Sequence, residues 1–527
     1  MKKILISDTI DLKCKEILED AGIEVTYLPE ILPGEIKKII GGFNGLIVRS
    51  RTQANDSLLE SAINLNIIGR AGTGCDNIDI TTATRKGILV MNTPGGNTIS
   101  AAEHTLALML SLCRNVPQAN ASMLAGKWER GKFKGTELSD KTLGIIGLGK
   151  IGKEVALRAI PFGMKVICYD PLMSEESASK LDVELVSLDE LYKHSDIITI
   201  HVPLTNETNN IISEETLNKC KKGVKIINCA RGGLIDEAAL LKYIENGHVS
   251  GAAIDVYKTE PPNFENPLFK HPNVITTPHL GASTKEAQQK VAVQIANQIA
   301  DYFNGKEIKG AVNGIGIEAI NNKDILPFVT LSEKIGKIYS QLSKNRLKQI
   351  DINYCGETLH KYSQFLSICV LKGFLNDKLE ENVNLINAPF LAKENGIIIN
   401  EIKSSSDIDY KNLLSITFHS KGELRKFDGT VFGKKEIRIV GVNNYRIEVN
   451  PEGYLLFYTN EDKPGMLAIV SKLLAENNIN IGGLSLGRRD KGDEAFTVIN
   501  IDNNVDKNIL EKIKSYKGIS NVGFIKL

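Results

Sequence analysis

The sequence lacks a surplus of charge of either sign, and it lacks any long hydrophobic run. Its 64 Lys and Arg residues nearly balance 63 Asp and Glu residues, whereas proteins that bind nucleic acid or anionic membranes usually present a basic excess. No apolar run approaches the ~20 residues that a membrane-spanning helix needs. We therefore predict no nucleic-acid partner and no membrane association, and any bound anion must be held by local groups.

The sequence also lacks paired cysteines. Its eight cysteines are scattered without a CxxC pair, which favours reduced, buried thiols over a disulfide framework or a zinc site. The first residues, MKKILISD, contain only the short apolar stretch ILI, so they predict a strand rather than a signal peptide. We therefore expect a cytoplasmic protein without a metal centre.

Alternating short apolar strands and helical segments predict a parallel α/β sheet up to residue 97. A second α/β series begins near residue 141 with KTLGIIGLGKIG. Residues from about 315 to 450 mix helices and strands without a recognisable chemical motif. Residues 453–527 follow the order strand, helix, strand, strand, helix, strand, which is the ferredoxin-like βαββαβ plan. At ~150 residues per domain, the length allows roughly three to four domains.

A dinucleotide fingerprint lies at the start of the second series. Gly147, Gly149 and Gly152 form GLGKIG between an apolar strand and a helix, and Asp170 ends the next strand. The glycines allow a tight turn, close approach of a pyrophosphate and close helix packing. A carboxylate at Asp170 can accept hydrogen bonds from an unmodified ribose and repels a phosphorylated one, which favours NAD over NADP. The alternative is a βαβ turn with a purely structural role.

Three chemically useful side chains each follow a different strand of the same series. Arg231 lies in IINCARGGLIDE, Glu260 in DVYKTEPP and His279 in TTPHLGAST. Taken singly, each is more simply an ordinary loop residue. Because parallel strand ends converge on one crevice, together they predict a base for a hydroxyl proton, a carboxylate that orients it, and a cation for a substrate carboxylate.

The blocks TLGIIGLGKIG, NCARGGLIDE, GAAIDVYKTEPP and PHLGAST resemble the D-isomer-specific 2-hydroxyacid dehydrogenases. VRSRT, GRAGTGCDNID, MNTPGGNTISAAEHTLALML and GKWERGKFKGTEL narrow the resemblance to the branch that oxidises 3-phosphoglycerate to 3-phosphohydroxypyruvate with NAD. That reaction is the first committed step of serine biosynthesis. The resemblance is close from residue 1 to about 310. It continues more weakly through an intervening domain at 315–450 and an ACT regulatory domain at 453–527.

The resemblance implies a fold and domain bounds. It implies an α/β protein in which a Rossmann-type NAD domain, 98–284, is inserted into a flavodoxin-like substrate-binding domain made of 1–97 and 285–310. An α+β intervening domain and a ferredoxin-like ACT domain would follow.

The resemblance also assigns roles to individual residues. The implied catalytic residues are Arg231, Glu260 and His279. The implied NAD-binding residues are Thr73, Gly147, Gly149, Lys150, Ile151, Gly152, Asp170, Cys229, Ala230, Asp255 and Gly281. The implied substrate-binding residues are Arg49, Ser50, Gly72, Asn97 and Arg130. Arg130 would reach the substrate phosphate of a neighbouring subunit, or is simply an exposed loop charge.

The regulatory hypothesis concerns the C-terminal region. By resemblance, L-serine would bind across a dimer of ACT domains at Asn460, Asp462 and Asn480, so we expect a homo-oligomer, either a dimer or a tetramer. The alternative is an ACT module that serves only assembly. For the whole protein the rival functions are another D-2-hydroxyacid dehydrogenase, acting on glyoxylate, lactate or a similar acid, and a non-enzymatic NAD-sensing corepressor.

Overall fold

The computed structural model describes residues 1–343, 345–405 and 409–527. The chain forms two compact units, one of Thr93–Gln294 and the other of Met1–Asn92 together with Ile295–Leu527. Throughout the described ranges, no helix combines the length and the apolar character needed to cross a bilayer.

The N-terminal residues form a five-stranded parallel sheet in the order β2-β1-β3-β4-β5. Its strands are short apolar runs whose side chains are largely buried, as expected for a parallel sheet covered on both faces. The strands are β1 Lys3–Ile6, β2 Glu24–Tyr27, β3 Gly45–Val48, β4 Ile67–Arg70 and β5 Leu89–Asn92. The connecting helices are α1 Lys13–Asp20, α2 Pro33–Ile39, α3 Asp56–Glu60 and α4 Ile80–Arg85. This strand order is the flavodoxin-like one.

The unit Thr93–Gln294 contains a seven-stranded parallel sheet in the order β12-β11-β10-β9-β6-β7-β8. Its strands are β6 Thr142–Ile146, β7 Lys165–Tyr169, β8 Glu184–Leu185, β9 Ile197–Ile200, β10 Val224–Asn228, β11 Val249–Ile254 and β12 Val274–Thr276. Its helices are α5 Thr98–Arg114, α6 Val116–Leu124, α7 Lys150–Ala159, α8 Glu175–Ser179, α9 Leu188–His194, α10 Glu214–Lys219, α11 Glu237–Glu245 and α12 Pro267–Lys270. Chain order reverses between β6 and β9, which is the Rossmann switch point.

Two apolar clusters cover the faces of this sheet, so it is buried on both sides. One contains Ile198, Ile226 and Leu240, and the other contains Leu143, Val155 and Met109 from the long helix α5. Helix α13, Lys285–Phe303, follows β12. It begins in this unit and ends in the other.

The next region forms a six-stranded mixed sheet in the order β14-β13-β15-β16-β17-β18. Only β13 and β14 pair in parallel; the other neighbours are antiparallel. The strands are β13 Leu347–Cys355, β14 Ile398–Ser404, β15 Leu413–Ser420, β16 Glu423–Phe432, β17 Glu436–Val442 and β18 Tyr445–Val449. The helices are α14 Leu326–Leu342, α15 Glu357–Lys361, α16 Ser363–Leu375 and α17 Ala388–Glu394.

The C-terminal residues form a four-stranded antiparallel sheet in the order β20-β21-β19-β22. Its elements are β19 Tyr454–Glu461, α18 Met466–Glu476, β20 Ile481–Arg488, β21 Glu494–Ile501, α19 Lys507–Ser515 and β22 Ile519–Lys526. This is the βαββαβ order predicted from the sequence, and the predicted fold class is confirmed.

Helix α5 ends at Arg114, and Asn115 after it adopts a left-handed conformation with φ of 53°. Pro117 lies in the first turn of the next helix, α6. A proline fits there because the first-turn N–H groups have no partner within the helix.

Candidate active site

The three predicted catalytic side chains follow three adjacent strands. Arg231 follows β10, Glu260 follows β11 and His279 follows β12, and these strands are neighbours in the sheet. All three strands are parallel, so the residues lie beyond the same carboxyl edge. The sequence predicted this convergence, and the topology supplies the reason for it.

His279 and Glu260 are in direct contact. Nδ1 of His279 lies 2.7 Å from Oε2 of Glu260, and the other carboxylate oxygen, Oε1, accepts from the backbone N–H of Tyr257 at 3.1 Å. Burial tends to raise the pKa of Glu260, but the hydrogen bonds from His279 and Tyr257 outweigh it and hold this pKa below its ordinary value. Since an ionised carboxylate can only accept hydrogen bonds, Nδ1 carries the proton. Nε2 is then the nitrogen that can accept a proton.

The pair remains reachable by a substrate. The His279 side chain is 45% exposed and the Glu260 side chain is 37% exposed. The His279 backbone has φ of 54°, an uncommon conformation for a non-glycine residue that concentrates at functional sites. Its N–H donates to the carbonyl oxygens of Asp255 and Thr277.

Arg231 lies in a loop that packs against the loop carrying Glu260. Its Nη1 donates to the carbonyl of Ala230 at 2.7 Å, and its own carbonyl accepts from the buried Asn228 side chain at 2.8 Å. At Gly232 a Cβ would come within 1.8 Å of the Tyr257 carbonyl oxygen. Only glycine allows the two loops to approach this closely.

A network around Asp255 supports the His279 loop, and sequence reasoning missed most of it. The Asp255 side chain is fully buried and accepts from Thr277 Oγ1 at 2.6 Å and from the N–H groups of Leu280 and Gly281 at 2.7 and 2.8 Å. His104 Nε2, from the distant helix α5, lies 3.2 Å from it. Burial alone would raise the pKa of Asp255, but these contacts hold it below its ordinary value. A histidine in an apolar helix gives no sequence signal for such a contact.

The glycine-rich loop has the geometry of a phosphate cradle. Gly147 has φ of +95°, and a Cβ on it would lie 2.7 Å from the His201 carbonyl oxygen; one on Gly152 would lie 2.1 Å from the Gly147 carbonyl oxygen. By contrast, the space around Gly149 is open, with nothing within 4 Å of the position of a Cβ. Gly149 is the N-cap of α7, whose N-terminal end favours an anion.

The residues around this loop fit NAD. Asp170 follows β7, and its carboxylate accepts from the N–H groups of Leu148 at 2.8 Å and Leu172 at 2.9 Å, which fixes it beside the loop. Lys150 Nζ donates to the Pro94 carbonyl at 3.4 Å, and Ile151 packs against the core.

Cys229 and Ala230 lead from β10 into the Arg231 loop. Burial raises the pKa of the Cys229 thiol to about 12, so Cys229 contributes shape rather than a nucleophile.

Other predicted residues lie at the carboxyl edge of the N-terminal sheet, in the second compact unit. Arg49 and Ser50 follow β3, and Gly72 and Thr73 follow β4. Arg49 is anchored by its backbone N–H, which donates to Asp8 Oδ2 at 2.6 Å, while the Thr73 carbonyl accepts from Asn92 at 2.6 Å. The four residues therefore lie together at this edge of the sheet.

Asn97 and Arg130 lie in the unit Thr93–Gln294. Asn97 is the N-cap of α5. Arg130 begins an exposed 3₁₀ helix, Arg130–Phe133. It follows α6, none of whose residues is buried. Leu124 is 82% exposed and Trp128 is 81% exposed, so this segment presents large apolar side chains at its surface.

The three predicted serine-binding residues do not come together within one chain. Asn460 and Asp462 lie at the end of β19, where Asp462 accepts from Arg488 at 3.1 Å and from the Gly492 N–H at 2.9 Å. Asn480 precedes β20 and donates to Asp502 at 2.7 Å, at the opposite end of the sheet. The eight positions from 480 to 488 separate the two ends by roughly 25 Å at ~3.3 Å per residue.

Family models match three segments of the chain. Residues 106–281 match the D-isomer specific 2-hydroxyacid dehydrogenase NAD binding domain, 324–443 match the D-3-phosphoglycerate dehydrogenase intervening domain, and 454–518 match the ACT domain. The chain is 41% identical to a D-3-phosphoglycerate dehydrogenase of Archaeoglobus fulgidus over 527 residues, which cover 100% of both chains. It is 42% identical to that of Bacillus subtilis over 485 residues, 92% of each. The chain belongs to the D-3-phosphoglycerate dehydrogenase family.

A solved structure is similar to part of this chain. An NAD-dependent formate dehydrogenase from Staphylococcus aureus, in complex with NAD, is 30% identical with a TM-score of 0.53. The match covers 59% of this chain and 97% of that one, so the two share the dehydrogenase core but not this chain's remaining length.

Proposed function

We propose that the protein oxidises 3-phospho-D-glycerate to 3-phosphohydroxypyruvate with NAD, the first committed step of L-serine biosynthesis. The observation that carries the proposal is the His279–Glu260 pair, placed one strand away from the Arg231 loop and in the same sheet as the dinucleotide cradle. Full-length similarity to D-3-phosphoglycerate dehydrogenases supports the choice of substrate among 2-hydroxy acids.

The chain's own residues would divide the reaction as follows. Nε2 of His279 takes the hydroxyl proton, and Glu260 holds the ring and balances the charge of the imidazolium. Arg231 pairs with the substrate carboxylate through its planar guanidinium. Bound NAD supplies a hydride acceptor for the hydroxyl-bearing carbon. Proton and hydride thus leave separately, and the alcohol becomes a ketone.

The remaining assignments complete the site. For NAD, the glycine loop would hold the pyrophosphate and Asp170 the ribose, with Thr73, Asp255, Gly281 and the 229–231 turn around the nicotinamide. Arg49, Ser50, Gly72, Asn97 and a neighbouring subunit's Arg130 would meet the substrate. The proposed domain bounds are 1–97 with 285–310, 98–284, 315–450 and 453–527.

We also propose a homo-oligomer that L-serine inhibits through its ACT domains. The exposed surface of α6 supports subunit contact. The separation of Asn480 from Asn460 and Asp462 supports a serine site made by two chains, since no single sheet presents all three together. We place the enzyme in the cytoplasm, because Cys14, Cys113, Cys168, Cys220 and Cys369 are buried free thiols.

A steady-state assay tests the function. Purified protein would be given NAD with 3-phosphoglycerate, D-lactate or D-glycerate, with and without millimolar serine. We expect kcat/KM to be highest for the phosphorylated acid and turnover to fall with serine. Higher kcat/KM for an unphosphorylated acid would contradict the substrate assignment, and NAD binding without turnover on any acid would contradict the enzymatic one.

A further inference from the structure

A cavity of about 320 Å³ lies between the six-stranded sheet and the ACT sheet, which belong to the same compact unit. Strands β16, β17 and β18 wall it on one side, and β19, β21 and β22 on the other. Its lining combines polar and charged side chains with buried apolar and aromatic ones, which include Phe427, Ile439, Ile447, Leu455, Phe457 and Val498. Its volume is at the lower end of the ~300–1,000 Å³ typical of small-molecule sites.

Direct contacts join the six-stranded sheet region and the ACT region around the cavity. Gln341, on α14, exchanges two hydrogen bonds with the Lys526 backbone, at 2.9 and 3.0 Å. Lys334 donates to the Pro451 carbonyl at 2.7 Å, and a Cβ at Gly487 would lie only 2.3 Å from the Arg446 carbonyl oxygen. The cavity therefore lies between two sheets that direct contacts hold together.

The lining of the cavity carries two charges of opposite sign that belong to no salt bridge among the described residues. The Arg489 guanidinium lies over the Tyr445 ring, 4.9 Å from its centroid, and Glu494 lines the same cavity. The other two charged residues of the lining, Glu423 and Arg425, form a salt bridge with each other.

Both unpaired charges act on the same phenol. The pKa of Tyr445 is raised, first by burial; Arg489 lowers it, while the charges of Glu494 and Asp493 and a side-chain hydrogen bond with Glu494 raise it. Arg489 and Glu494 therefore both lie close to one aromatic side chain of the cavity lining. Thr459, which is buried in the wall, adds a hydroxyl.

We propose that this cavity binds a free α-amino acid with an apolar or aromatic side chain. Its carboxylate pairs with Arg489, its ammonium group pairs with Glu494, and its side chain enters the chamber between Phe427 and Phe457. A simple fatty or aryl acid would satisfy only Arg489 and would be repelled by Glu494. The site is separate from Asn460, Asp462 and Asn480 and goes beyond the proposed function.

Calorimetry on the full-length protein tests the site without relying on catalysis. L-phenylalanine, 3-phenylpropionate and phenethylamine present the same ring with both charges, the carboxylate alone or the ammonium alone. We expect one phenylalanine per chain and at least tenfold weaker binding of the other two. Equal binding of 3-phenylpropionate, or no heat from millimolar phenylalanine, would overturn the proposal.

Variants locate the binding. Arg489→Ala and Glu494→Gln should each weaken phenylalanine binding about tenfold or more, whereas Arg446→Ala and Glu448→Gln, exposed on β18 outside the cavity lining, should not. Val442→Phe should fill the chamber and abolish binding while both charges remain. Thermal unfolding of each variant checks its folding. Binding that survives Val442→Phe, or that serine displaces competitively, would overturn the assignment to this cavity.

Discussion

The dehydrogenase site and the ACT module distribute their functional residues in opposite ways. In the seven-stranded sheet, residues far apart in sequence collect at one edge, because every parallel strand ends there. In the four-stranded antiparallel sheet, β19 and β20 run in the same direction. Asn460 lies near the end of β19 and Asn480 directly precedes the start of β20, so the two residues lie at opposite ends of the sheet. One chain can therefore hold the complete proposed catalytic pair, whereas the proposed serine site would need two chains.

Because of this difference, we expect variants at the two sites to have different effects. Changes at the parallel-strand edge should damage chemistry in every chain. Changes at the ends of the ACT sheet should alter only the response to an effector, since a coupling between separate sites can be lost without loss of catalysis.

His279→Ala should have the largest effect, because it removes the proton acceptor. We expect kcat to fall about 10²–10⁴-fold while NAD binding is kept, measured by steady-state kinetics and by NAD titration. His194→Ala is the matched control, since His194 also contacts a carboxylate, Glu190, at 2.9 Å, but on the surface of α9. Near-normal turnover in His279→Ala would end the acid–base assignment.

Arg231→Lys should have the next largest effect. Lysine keeps the charge but loses the planar fork, and a lost hydrogen bond to a charged group costs enough to raise KM for the substrate about 10- to 100-fold. KM for NAD should change little. Arg158→Lys, in the last turn of α7, is the control. An unchanged substrate KM would make Arg231 an ordinary loop residue.

Asp170→Ala should narrow the preference for NAD over NADP about tenfold, because the carboxylate no longer accepts from the ribose or repels the extra phosphate. The ratio of kcat/KM with NAD to kcat/KM with NADP measures this preference. Asp189→Ala, an exposed carboxylate on α9, serves as control. A wild-type enzyme that already prefers NADP would refute the argument.

Asn480→Ala should spare turnover and weaken serine inhibition by several-fold, as expected for the loss of one neutral hydrogen bond. The half-inhibitory serine concentration measures this effect, with the exposed Asn504→Ala as control. If serine neither inhibits the wild-type enzyme nor binds it in calorimetry, the ACT domain serves assembly alone.

The smallest expected effect is on stability at low pH. Glu260 has a pKa below its ordinary value of 4.5, so its contribution to stability is fully present above that value and is lost as pH falls through the lowered pKa. The thermal unfolding midpoints of the wild type and Glu260→Gln should thus differ at neutral pH, and the difference should shrink as the pH falls below 4.5. A difference that is constant across this range would argue against a depressed pKa.

Local patterns and connectivity explain what could be predicted from the sequence. Asp170 and the glycines lie within one βαβ segment, and Arg231, Glu260 and His279 each follow an apolar run, so their shared edge could be deduced from parallel topology. The contact of His104 with Asp255 could not, because it depends on how α5 packs against the sheet. The opposite placement of Asn460 and Asn480 follows from the shared direction of β19 and β20, which appears only once the two residues are placed on the βαββαβ plan.

The close approach at Gly232 has a consequence for protein engineering. Since a Cβ there would overlap the Tyr257 carbonyl, position 232 tolerates no other amino acid without displacing the neighbouring loop. A mutagenesis library that aims to change which acid is oxidised should vary the surroundings of Arg231 and leave codon 232 untouched. Second-site suppressors of a Gly232 substitution should map to residues 256–260.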